Sequence, residues 1–195
     1  MPRPRKQQIS LDATPFYHCV SRCVRRAFLC GKDPLTGRSH EHRRQQIEYD
    51  PLRLASIFYI DLVSFCVMSN HHHVVVHVDR ERCSKANPKE IALRWHQLFK
   101  AKEFSQKFVD GESLESHEQY QLDTLIDTWR SRLHDISWFM KVLNEKIARM
   151  ANKEDDRTGH LVSRPREFHP QPLSEPYVTL SRHTAPITQA WYYQL

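Results

Sequence analysis

The spacing of apolar positions changes period along the chain, and each change marks an element. Phe16, His18, Val20 and Arg22 alternate with Tyr17, Cys19, Ser21 and Cys23, which predicts a strand running from Phe16 towards Phe28. A loop with Gly31, Pro34 and Gly37 follows, and the charged run Arg38 to Arg44 leads into a helix-like stretch around Ile47. Asp50-Pro51 reads as a helix start, with Asp50 as cap and Pro51 in the first turn; Leu54, Ile57 and Phe58 form its apolar stripe. From Asp61 the pattern becomes strand-like again. Leu62 to Met68 and His71 to His77, joined by a short polar turn at Ser69-Asn70, predict a β-hairpin. Alternation puts His71, His73, Val75 and His77 on one face and His72, Val74, Val76 and Val78 on the other.

Beyond Asp79 the period is helical. Asn87-Pro88-Lys89-Glu90 combines a cap, a first-turn proline and an acid three residues after the cap, and Ile91, Ala92, Trp95, Leu98 and Phe99 hold one face. A polar link containing Gly111 precedes a helix over Tyr120 to Leu133. Another helix opens at Asp135 and carries Ile136, Phe139, Met140, Leu143, Ile147 and Met150. The periodicity ends in the polar run 152–159. Residues 162–195 hold five prolines (165, 170, 172, 176 and 186) without lasting period and read as an irregular tail. Residues 1–14 read as a flexible basic arm, and 15–161 as one domain. The order strand, helix, strand, strand, helices fits an α+β fold: an antiparallel sheet with helices packed on one face.

Composition narrows the class. The 195 residues are 39% hydrophobic and 27% charged, which suits a globular domain with a sizeable core. No run of ~18 apolar residues predicts a membrane span. The basic start, Met1 to Lys6, leads to Gln7-Gln8 and not to an apolar stretch, so no secretory signal is expected. Five cysteines, mostly within apolar stretches, suit reduced thiols and a cytoplasmic location; a zinc site using Cys19 and Cys23 is poorly spaced. The formal net charge of +6 favours a polyanionic partner, most simply nucleic acid. Arg3, Arg5, Lys6, Arg22, Arg25 and Arg26 are the candidate phosphate contacts, since basic residues crowd the first quarter of the chain with few acids beside them.

The hairpin carries the candidate chemistry. Imidazoles at i and i+2 of a strand sit close enough to grip one divalent cation, and the ladder holds them rigidly. Open coordination positions would then remain for a group from another element and for phosphodiester oxygens. The competing reading is three surface histidines at a turn. His18 shares the face of His71 and His73 if the first strand pairs beside them. His77 lies ~13 Å from His73 at ~3.3 Å per residue, too far to share an ion. His40 and His42 repeat the i, i+2 spacing but fall in a charged loop, which predicts solvated side chains. Asp61, Asp79 and Glu81 carry no specific ligand signal, and neither a glycine-rich phosphate loop nor a serine-nucleophile motif is present.

Met68-Ser69-Asn70-His71-His72-His73-Val74-Val75-Val76 resembles the signature hairpin of the HUH single-strand DNA nucleases, in their branch of single-tyrosine transposases from insertion sequences and REP elements. That hairpin reads roughly Met-Pro/Ser-Asn-His-x-His followed by apolar residues, so His71 and His73 fall on its two metal-ligand positions and His72 between them. Tyr17-His18-Cys19-Val20-Ser21-Arg22 and Ile136-Ser137-Trp138-Phe139-Met140 with Leu143-Asn144 also look like this branch, and the resemblance covers about residues 1–161. It implies an RRM-like (ferredoxin-like) sheet with a helical extension, a divalent cation (Mg²⁺ or Mn²⁺), usually a homodimer, and single-stranded or hairpin DNA as substrate. The implied reaction is strand cleavage by a tyrosine that becomes joined to the 5′ phosphate, followed by strand transfer.

The chain departs from that pattern after Thr158-Gly159-His160-Leu161, where the family continues into a helix bearing the nucleophilic tyrosine. Here Val162-Ser163-Arg164-Pro165-Arg166-Glu167-Phe168-His169-Pro170 follows, and Tyr177, Tyr192 and Tyr193 sit in no matching motif. The expectation is a truncated or frameshifted copy whose covalent strand transfer is weak or absent. A non-catalytic nucleic-acid-binding module, stacking bases on Tyr17 or Phe65, is the main alternative; an unrelated metal hydrolase would need more carboxylates near the hairpin. Translating the DNA beyond codon 161 in its other frames is expected to yield a tyrosine-bearing helix, and finding none in any frame would refute the frameshift.

Overall fold

The computed structural model describes residues 9–23, 28–155 and 167–170. Four strands form one antiparallel sheet: β1 (Phe16–Arg22), β2 (Ile60–Val67), β3 (His71–Val78) and β4 (Glu167–Pro170), in the order β2-β3-β1-β4. Helix α1 (Arg44–Ile57) connects β1 to β2. Helices α2 (Arg80–Lys85), α3 (Pro88–His96), α4 (Glu103–Asp110), α5 (Ser116–Leu133) and α6 (Ile136–Glu154) lie between β3 and β4. This connectivity and strand order are those of the split βαβ, ferredoxin-like arrangement, with α3 to α5 as a helical insertion.

The sheet has one dry face and one open face. Tyr17, Cys19 and Ser21 of β1 and Val74 and Val76 of β3 are fully buried, as are Leu54 and Ile57 of α1 and Phe139, Met140, Leu143 and Ile147 of α6. Burying each large aliphatic side chain contributes about 1.5–3 kcal/mol, so this layer fixes which face of each strand turns inward. Asn144 of α6 donates to Ser21 Oγ at 3.0 Å, a buried link between helix and sheet. The insertion has its own aromatic seam, where Trp95 of α3 stacks on Trp129 of α5 at 5.6 Å and meets Trp138 of α6 at 5.9 Å.

The predicted caps are present. Asn87 Oδ1 accepts from Glu90 N at 2.8 Å, and Asp135 Oδ1 accepts from Ser137 N at 2.6 Å and Trp138 N at 3.2 Å. Asp50 is different. Instead of capping a new helix it lies mid-helix in α1, buried, accepting from Gln46 Nε2 at 2.9 Å and ion-paired with Lys146 of α6. The helix therefore runs through Pro51, and that ion pair takes the carboxylate that would have capped. Of the predicted first strand, Phe16–Arg22 is described as β1 and residues 24–27 lie outside the described residues; the polar link around Gly111 contains helix α4.

Two boundary expectations change. Residues 9–14 of the expected arm dock on the domain: Ile9 and Leu11 pack against the core, and Tyr17 Oη donates to Ser10 O at 2.9 Å while accepting from Ser10 N at 2.7 Å. In the expected irregular tail, Glu167–Pro170 forms edge strand β4 on β1, with Phe168 buried in the core. Four residues are too short to show a period, and an edge strand tolerates Pro170. The rest of the tail, including Tyr177, Tyr192 and Tyr193, lies outside the described residues.

His72 is the one polar side chain of β3 on the dry face. It is 2% exposed, and neither ring nitrogen has a hydrogen-bond partner. It lines a narrow apolar gap with Ile47, Pro51, Phe65, Val67, Leu143 and Ile147. Burial pushes its pKa down to about 4, with the neighbouring His73 and His71 adding to the shift. Because the folded value lies below the ordinary 6.5, the neutral ring's stability is fully present above pH 6.5 and lost as pH falls towards 4, by up to about 3 kcal/mol at about 1.4 kcal/mol per pH unit. His72→Leu is expected to raise stability at pH 7 by about 1 kcal/mol or more, because two unpaired buried nitrogens are removed, and to flatten the loss between pH 6.5 and 4. Denaturant titrations at several pH values check this; equal pH slopes in parent and variant would contradict it.

Candidate metal and phosphate site on the open sheet face

Strand β3 lies between β2 and β1, paired to both. With His72, Val74, Val76 and Val78 facing in, the ladder turns His71, His73, Val75 and His77 out. The rings of His71 and His73 lie 5.0 Å apart, centroid to centroid. Across the β1–β3 pairing, His18 comes alongside: its ring lies edge to edge with that of His73, centroids 5.0 Å apart and 19° between the planes, and His18 Nε2 is 2.8 Å from His73 Nδ1. On the far side of β1, His169 of β4 is directly opposite His18, with ring centroids 5.9 Å apart. The open face therefore carries a row of four imidazoles from three strands.

The first two rings are held at one nitrogen each. His71 Nδ1 is 2.6 Å from Asn70 Oδ1, and His73 Nδ1 is 2.8 Å from His18 Nε2. Neither Nε2 has a protein partner among the described residues. Arg22 lies opposite His71 in the β1–β3 register and is exposed. Partial burial, reinforced by the charge of Arg22, lowers the pKa of His71; His73 is lowered by burial, then by His18, His71 and Arg22. His18 is lowered by burial and His169. Each shift favours the neutral ring, the form that binds a metal.

Of the residues expected at the site, His71, His73 and Arg22 come together. Arg3, Arg5, Lys6, Arg25 and Arg26 lie outside the described residues. His18 joins the site through the β1–β3 register, as the shared-face reading anticipated. His169 was hidden in the proline-rich tail, and only its pairing with β1 reveals it. His77 belongs elsewhere: its Nδ1 is 3.1 Å from Asp61 Oδ2, and Asp61 also takes Arg82 at 3.3 Å. Asp79 caps α2 through Arg82 N at 2.9 Å, and Glu81 pairs with Lys85.

A second cluster has the composition of a metal site without its electrostatics. His40, Glu154 and Asp155 place ligand atoms within 4.8 Å of one another. The buried guanidinium of Arg43 already holds both carboxylates, with Nε 2.7 Å from Glu154 Oε2 and Nη2 2.7 Å from Asp155 Oδ1, and Arg43 also donates to Phe28 O at 3.2 Å. Arg38 and His42 approach the same acids. A cation there would face two guanidiniums. The cluster ties the end of α6 to the start of α1. His40 is also 8% exposed and stacked against Phe28, so the expectation of a solvated ring is corrected for His40. The thiols of Cys19 and Cys23 are pushed up to about 12 by burial, as suits core cysteines.

Comparisons of the chain with protein-family models, with curated proteins and with solved structures give no match. The site therefore rests on its own geometry.

Cys66 lies opposite His73 in the β2–β3 register and is exposed, whereas Cys19, Cys30 and Cys83 are buried. A maleimide at pH 7.5 is expected to modify Cys66 first, as read by peptide mass mapping. Earlier labelling of Cys19, Cys30 or Cys83 would contradict this assignment of the open face.

Proposed function

We propose that the open sheet face holds a divalent cation on His71 and His73 and uses it to act on a phosphodiester of single-stranded or hairpin DNA, as in DNA transposition. The observation that carries this reading is the pairing of two imidazoles, each engaged at Nδ1 and, among the described residues, without a partner at Nε2, with Arg22 beside them. The donor set fits such an ion. Imidazole suits Mn²⁺ and softer divalent metals better than Mg²⁺, which favours oxygen ligands. When bound, the ion would act as Lewis acid on the scissile phosphate and orient its leaving group. The chain's own residues do the rest. His71 and His73 fix the place of the positive charge, and Arg22 adds a cation that screens the phosphate.

The alternative, a non-catalytic module that stacks bases on sheet aromatics, lacks its platform among the described residues. Tyr17 is fully buried, and Phe65 packs against the core. The exposed aromatic side chains Tyr49, Phe99 and Tyr120 lie away from the sheet, in α1, just after α3 and in α5. Formation of a DNA–tyrosine adduct is expected to be weak, since no tyrosine lies on the described open face.

Incubating the full chain with a 5′-labelled hairpin-end oligonucleotide and Mn²⁺, followed by a denaturing gel, is expected to show cleavage that EDTA abolishes and that His71→Ala or His73→Ala reduces by about 100-fold or more, beyond the usual loss from a merely supporting residue. Oligonucleotide binding without metal-dependent cleavage would favour the non-catalytic module; cleavage unaffected by both substitutions would remove the hairpin from the chemistry.

A further inference from the structure

Resting on that reading of His71 and His73, we infer that His18 is the positioning residue that sets the tautomer of His73, accepting its Nδ1–H so that Nε2 carries the lone pair offered to the cation. A neutral imidazole has one N–H and one lone pair, and which nitrogen carries the proton decides which nitrogen can bind a metal. His71 and His73 solve that problem with different partners. For His71 the partner is local: the amide oxygen of Asn70, 2.6 Å from Nδ1, is an acceptor only, so Nδ1 keeps the proton. For His73 no neighbour on its own strand does this. Its Nδ1 instead meets His18 Nε2 at 2.8 Å, from the adjacent strand.

That contact has two arrangements. If His18 Nε2–H donates, His73 must carry its proton on Nε2 and cannot bind an ion there. If His73 Nδ1–H donates, His18 keeps its own proton on Nδ1, and His73 matches His71. The surroundings favour the second. It leaves His71 and His73 both with the proton on Nδ1 and the lone pair on Nε2. The rings of His18 and His73 lie nearly coplanar and edge to edge, with 19° between the planes, so the His73 Nδ1–H and the His18 Nε2 lone pair lie close to one line. His18 is braced from its other side by the ring of His169, 5.9 Å away, so β4 supports the acceptor that β1 presents. The sequence spacing alone could not show this, because His18 and His73 are 55 residues apart and diagonal in the register.

Two variants separate this role from packing. His18→Gln keeps an acceptor near the position of Nε2; His18→Phe keeps a flat ring of similar bulk and loses the acceptor. In the metal-free full chain at pH 8, ¹⁵N-detected imidazole spectra are expected to show His73 protonated on Nδ1 in the parent and in His18→Gln, and on Nε2 in His18→Phe. In Mn²⁺ titrations the Phe variant is expected to bind about 10- to 100-fold more weakly than the parent, with Gln close to the parent. A parent His73 protonated on Nε2, or a Phe variant with unchanged tautomer and affinity, overturns the inference. Gln binding as weakly as Phe also overturns it, since His18 would then act as a direct ligand or through packing alone. A parent chain that keeps the Nδ1–H tautomer but binds no Mn²⁺ overturns the metal reading on which the role rests.

Discussion

Strand β3 is hydrogen-bonded along both edges, to β1 and to β2, and this double pairing governs the rest of the molecule. A one-residue slip would turn His71 and His73 into the core and push Val74, Val76 and Val78 into water. Each valine buried against the helices contributes about 1.5 kcal/mol or more to holding the register, so the alternation is held by the core and not by the histidines. The consequence at the surface is a row of imidazoles whose spacing the ladder sets. The cost is His72, whose ring is drawn into the dry layer with neither nitrogen paired.

The same pairing assembles the site from distant segments. β1 brings His18 and Arg22 beside the hairpin, and β4 brings His169 beside β1. Charge is distributed accordingly. On the open face the imidazoles lie next to the cation of Arg22. At the far end of α6 the acids Glu154 and Asp155 are neutralised by Arg43 and Arg38. Among the described residues, one cluster has imidazole nitrogens without a protein partner, and the acids of the other are already engaged by guanidiniums.

Much of this was legible in the sequence because the signals were periodic or chemical. The alternation of β1 and β3, the Asn87 and Asp135 caps and the stripes of α5 and α6 all appear where their residues place them. The missed features share a physical reason: each depends on a partner far along the chain. Asp50-Pro51 resembles a helix start, and only Lys146 of α6 explains why Asp50 sits mid-helix. His40 sits in a charged loop, and only Phe28 and the Arg43 cluster bury it. The strand Glu167–Pro170 is too short for a period and is defined by β1. Helix α4 is the exception. Phe104 and Phe108, four residues apart, with Gly111 in the left-handed region at φ 84°, were a readable helix and its stop.

The claim at the centre of this account is that the imidazole row binds the cation. The most direct measurement is an anomalous difference map from crystals of the full chain soaked in Mn²⁺. The account predicts a peak within coordinating distance of His71 Nε2 and His73 Nε2, on the open face beside Arg22. A peak at His40, Glu154 and Asp155 instead, or no peak at the hairpin in well-occupied crystals, would contradict it.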